Sequence, residues 1–101
     1  MEYKDLRRYQ YEKIIQILCQ YNNIDEDDII PLLRDKECKY LLLLLLKSNK
    51  CTDEVILEEI MSLKTKTSIQ YNFKKAEEKL YVNKDFREKY FEIQRIIKEI
   101  I

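Results

Sequence analysis

Residues 35–47 read DKECKYLLLLLLK, and the six consecutive leucines from Leu41 to Leu46 decide how everything else must be arranged. At 100° per residue a run of that length points in every direction around a helix. A helix that is apolar on all sides belongs at the centre of a fold, with neighbours around it. The apolar stretch from Tyr40 to Leu46 is seven residues long, whereas a membrane span needs about 20. Enclosure by other helices, not by lipid, is therefore the reading.

Working outward, the chain has 101 residues, 46% of them hydrophobic and 38% charged. That length and mixture suit one domain, residues 1–101, built from amphipathic helices. Glycine is absent and Pro31 is the only proline. Tight hairpins need glycine for positive φ angles, so its absence disfavours sheet and leaves asparagine to make the reversals. The predicted fold class is all-α, a compact bundle of about six helices containing a helix-turn-helix.

The first helix is predicted over about residues 3–21, with Leu6, Tyr9, Ile14, Ile17, Leu18 and Tyr21 as its apolar stripe and Asn22-Asn23 as its stop. Asp25 caps a second helix, with Glu26, Asp27 and Asp28 in its first turn, where the helix dipole favours negative charge. Pro31 keeps that helix short or kinked. The leucine helix is the third. Thr52 or Asp53 caps a fourth, whose inward candidates are Val55, Ile56, Ile60 and Met61. Lys64-Thr65-Lys66 connects it to a fifth helix ending near Leu80, and Asn83 caps a sixth from about Lys84 to Ile101.

Formal net charge is zero, but the charges are segregated. Six acids and two bases lie between Asn22 and Glu37; four lysines and no acid lie between Lys64 and Lys75. A basic face on a neutral chain still steers a polyanion. The opening stretch MEYKDLRRYQYEK lacks the apolar core of a signal peptide. The three cysteines, Cys19, Cys38 and Cys51, follow no disulfide or metal spacing. They read as buried, reduced thiols in a cytoplasmic protein.

Catalysis is not indicated. There is no histidine for a Ser-His or Cys-His pair, and no glycine for a phosphate-cradling loop. Asp25, Asp27 and Asp28 resemble half a calcium loop, but its glycine and distal glutamate are missing. Neither metal nor cofactor is expected.

The fifth helix divides cleanly by angle. Ile69, Phe73, Ala76 and Leu80 fall on one side; Thr67, Gln70, Tyr71 and Lys74 fall opposite. The outward side offers amide, hydroxyl and ammonium groups, with no acid in its first two turns. Long donors of this kind reach phosphates and base edges. The fourth helix and the short connection supply the other half of a helix-turn-helix, with Thr65, Lys66, Thr67 and Ser68 at the N-terminus of the groove-entering helix.

QYNNIDEDDIIPLLRDKE, the leucine helix, and TDEVILEEIMSLKTKTSIQYNFKKAEEKL together resemble the C-terminal DNA-binding domain of the bacterial replication initiator DnaA, in the wider helix-turn-helix class that includes the Trp repressor. The resemblance covers about residues 10–85. The family's turn, roughly G-R-D-H-T-T-V, corresponds to Leu63-Lys64-Thr65-Lys66-Thr67-Ser68-Ile69, and its K-K-I-E-E-L ending corresponds to Lys74-Lys75-Ala76-Glu77-Glu78-Lys79-Leu80. Leu63 stands at the family's glycine, and Thr65 and Lys66 at its aspartate and histidine. The resemblance implies that Lys64 takes the arginine position and that Lys66, Thr67 and Ser68 form the base- and phosphate-contacting turn.

In residues 84–101, Phe86, Tyr90, Ile93, Ile97 and Ile100 follow spacings of four, three, four and three. Such a seam either packs back onto the first helix or forms a homodimer, which would suit the reading of paired DNA half-sites. The function expected is binding of double-stranded DNA by a small regulator or accessory protein. Its surface comprises Lys64, Thr65, Lys66, Thr67, Ser68, Gln70, Tyr71, Lys74 and Lys75. The alternative is a protein–protein interaction module that kept the fold without the DNA site.

Overall fold

The computed structural model describes residues 3–25, 34–61 and 66–100, with side chains at 9–25, 34–53, 55–60 and 69–100. Five helices are formed among the described residues: α1 (Tyr3–Tyr21), α2 (Lys36–Ser48), α3 (Glu54–Met61), α4 (Lys66–Val82) and α5 (Lys84–Ile100). They include no strand. The short second helix expected around Pro31 falls at 26–33, outside the described residues; of the expected connection Lys64-Thr65-Lys66, the first two also lie outside them and Lys66 opens α4.

The leucine helix is central. All of Leu41–Leu46 are buried, and α2 touches α1, α4 and α5. α1 and α4 each also touch α5, and α3 rests on α4. The radius of gyration is 12.9 Å, close to the roughly 13 Å of a compact chain of this length.

Polar side chains fix where the helices begin. Asp35 caps α2, accepting from the Cys38 amide at 3.1 Å. Asp53, of the two candidates the one that caps α3, accepts from Val55 and Ile56 at 3.0 and 3.3 Å. Asn83 caps α5 through the Phe86 amide at 2.9 Å. The Arg87 guanidinium reaches back to the carbonyls of Leu80 and Tyr81, at 3.2 and 3.1 Å, at the end of α4.

The helix ends show how a chain without glycine reverses. After α1, Asn23 adopts φ 56°; its amide bonds Gln20 O at 3.3 Å, and the Ile24 amide bonds Cys19 O at 2.9 Å. After α2, Lys50 adopts φ 62°, with Lys50 N to Lys47 O at 3.1 Å and Cys51 N to Leu46 O at 2.8 Å. Both are Schellman motifs, with the following residue packed inward: Ile24 against the core, Cys51 buried. Asparagine tolerates the left-handed region. The lysine is unexpected there, because its Cβ crowds the following carbonyl oxygen at a cost of about 1–2 kcal/mol, with no short polar side chain to offset it.

Three inward assignments need correction. On α1, Tyr9 is 52% exposed, whereas Tyr11 is buried along with Ile14, Ile15, Ile17 and Leu18. Tyr9 points about 140° away from Ile14 at 100° per residue. The Tyr11 hydroxyl accepts from the Asp53 amide at 2.7 Å, so the start of α3 is tied to α1 through a satisfied buried polar group. On α3, Val55 is 64% exposed and Leu57 takes its place beside Ile56, with Ile60 half-buried. On α5, Phe86, Tyr90, Ile93 and Ile97 are buried within the chain, so of the five seam residues only Ile100 is exposed. α5 packs on α1 as well as on α2 and α4. Cross-links support that packing: Tyr21 Oη donates to Glu92 at 2.9 Å, Lys89 pairs with Glu37 at 3.2 Å, and Asn49 donates to Gln94 at 3.1 Å.

Candidate nucleic-acid interface

α4 is positioned by its inward side. Ile69 and Ala76 are buried, and Phe73 and Leu80 are half-buried against the core. This fixes the rotation of the helix about its axis, and hence the direction of everything opposite. Gln70, Tyr71 and Lys74 are all exposed, Tyr71 by 59%. The angular division read from the sequence is therefore present at each of these positions whose side chain is described.

The proposed residues separate into three groups. Lys64 and Thr65 lie outside the described residues. Lys66, Thr67 and Ser68 form the first turn of α4, with no acid in that turn, but their side chains lie outside the described set. Gln70, Tyr71, Lys74 and Lys75 are brought together on the helix. Lys75 Nζ stands 5.6 Å from the centre of the Tyr71 ring and 3.6 Å from a Glu78 carboxylate oxygen. The ring and the ion pair hold that ammonium close to the helix surface.

Two residues absent from the sequence-derived set belong to the same surface. Lys47, near the end of α2, forms an ion pair with Glu77 in the fourth turn of α4. Its ammonium also lies 5.7 Å from the centre of the Phe73 ring. Lys47, Thr52, Gln70, Phe73, Lys74 and Glu77 line one open groove of about 270 Å³. The angular signal for Glu77 was available, since seven residues of helix bring it back to within about 20° of Gln70. No sequence signal placed Lys47 there, because it is 30 residues away on another helix.

Among the described residues no group of three histidine, cysteine, aspartate or glutamate side chains is placed to hold a metal ion. Cys19, Cys38 and Cys51 are buried and form no disulfide with one another. Burial first, then the neighbouring Asp35 and Glu37 carboxylates, push the Cys38 thiol up to about 11. It is thus held as a thiol rather than a nucleophilic thiolate. Among the described residues no helix is long and apolar enough to cross a membrane.

No family model matches this chain, and neither a curated protein nor a solved structure matches it.

Proposed function

We propose that this protein binds double-stranded DNA through a helix-turn-helix formed by α3 and α4, with α4 as the groove helix. The reading rests chiefly on one observation: Gln70, Tyr71 and Lys74 are exposed along one side of α4 while Ile69 and Ala76 anchor the other. A helix held by one side in a rigid core, with amide, phenol and ammonium groups on the other, has the shape and donor set that a major groove accepts. Lys64, Lys66, Lys74 and Lys75 serve phosphates; Thr67, Gln70 and Tyr71 face base edges; Thr65 and Ser68 stand at the turn. The resemblance to the replication initiator's DNA-binding domain adds support for the order of these parts and casts the protein as a small regulator or accessory factor.

The test is fluorescence anisotropy with a labelled mixed-sequence duplex across a salt series. About four phosphate contacts give a slope of log affinity against log salt near −4. A double substitution, Lys66→Glu with Lys74→Glu, is expected to abolish binding while the helical circular dichroism is unchanged. A flat salt response, or full binding by that variant, would remove α4 as the interface.

A further inference from the structure

The groove beside α4 holds an arrangement that the helix-turn-helix reading does not use. Lys47 approaches from α2, and its partner there is Glu77. The pair is exposed, with side-chain accessibilities of 52% and 41%, so it forms at the surface rather than in the core. Exposed pairs of this kind add little stability. Lys74, one of the cations assigned to phosphate, lines the same groove as the Lys47–Glu77 pair. Half-buried Phe73 lies beneath the Lys47 ammonium and limits where it can go.

Resting on the DNA-binding reading, we infer that Glu77 is a built-in competitor for DNA: its carboxylate occupies, on Lys47, the place that a backbone phosphate takes in the complex. A carboxylate and a phosphate present the same kind of acceptor oxygens to an ammonium. The ligand class is a phosphodiester already being drawn to the neighbouring Lys74. When DNA docks, the phosphate replaces the Glu77 oxygen on Lys47, and Glu77 turns to solvent. Breaking the pair and leaving an acid beside the strand both weaken binding, so Glu77 lowers affinity and shortens residence. Lys47 thereby joins the DNA surface from outside the helix-turn-helix.

Removing any acid near a DNA surface raises affinity, so the test must isolate the pair. Glu77→Gln is made in the wild-type chain and in a Lys47→Met chain, and all four proteins are titrated with the same duplex over a salt series. The expected result is a gain of about three- to tenfold from Glu77→Gln in the wild-type background, with the salt slope little changed because Lys47 meets a phosphate in both complexes. In the Lys47→Met background the gain shrinks to less than about twofold. Circular dichroism of each variant checks that the fold is kept. An equal gain in both backgrounds would overturn the competitor role while leaving DNA binding intact. Failure of both the wild-type and the Glu77→Gln proteins to bind would instead remove the DNA reading itself, and this inference with it.

Discussion

α2 and α4 are neighbours, yet they spend their side chains in opposite ways. Every residue from Leu41 to Leu46 is buried, so over those turns α2 has no side left for a partner. α4 gives the core Ile69 and Ala76 completely and Phe73 and Leu80 in part, and leaves Gln70, Tyr71 and Lys74 in solvent. The first helix is about stability and the second has residues to spare. Where a small fold has little core, side chains it does not need for packing are the natural place to look for recognition. The sharpest way to break this contrast is to cut into α2. Leu43→Ala, at a site with 0% exposure, is expected to cost about 3–5 kcal/mol in urea unfolding. That is a large share of the roughly 5–15 kcal/mol that holds a domain of this kind together. A loss below about 1 kcal/mol would mean that α2 is not the centre of the core.

The contrast was legible in the sequence to the extent that it depended on side-chain chemistry along one helix. The leucine run demanded enclosure whatever surrounded it, and the caps Asp53 and Asn83 are short acceptors placed before apolar stretches. The division of α4 followed from angle alone. What was not legible depended on tertiary choice. Tyr9 and Tyr11 are equally amphipathic; helix angle turns Tyr9 away from Ile14, but the Asp53 amide that satisfies the buried Tyr11 hydroxyl comes from across the fold. The left-handed lysine at position 50 runs against its own propensity. The Lys47–Glu77 pair joins two helices whose proximity no local pattern encodes. The seam on α5 had two uses consistent with its spacing, and burial of Phe86, Tyr90, Ile93 and Ile97 shows where that apolar surface goes.

Two smaller effects sharpen the account of α2. Its buried Cys38 has its thiol pushed up to about 11 from an ordinary 9.0, by burial first and then by the Asp35 and Glu37 carboxylates. Between those values the unfolded chain releases a proton that the folded chain keeps, so stability falls as pH rises from 9 to 11. The loss assigned to this thiol is on the order of 1–2 kcal/mol. It is read as the difference in unfolding free energy between the wild-type and Cys38→Ala proteins across that range. A constant difference would show that the thiol is not desolvated. At the end of the same helix, Lys50 holds φ 62°. Lys50→Gly relieves the left-handed strain and is expected to raise stability by about 1 kcal/mol, less what glycine adds to the freedom of the unfolded chain. A destabilised variant would mean that the lysine side chain contributes something the strain argument omits.

The smallest effect on stability carries the greatest weight for α4. Gln70→Ala and Lys74→Ala remove exposed side chains from a helix whose position is set by the opposite side. Each should change unfolding free energy by less than about 0.5 kcal/mol, because alanine is the better helix former and no buried partner is lost. If α4 is the groove helix, the same variants should lower duplex affinity by about tenfold or more for Gln70 at cognate sequence, a bidentate base contact being worth about 1–3 kcal/mol. For Lys74 the loss should be similar on every sequence and should flatten the salt slope by about one. Stability and binding would then be separable on one helix, residue by residue. If the two variants instead unfold the protein and bind unchanged, the exposed side of α4 belongs to the architecture after all, and its resemblance to α2 is closer than its polarity suggests.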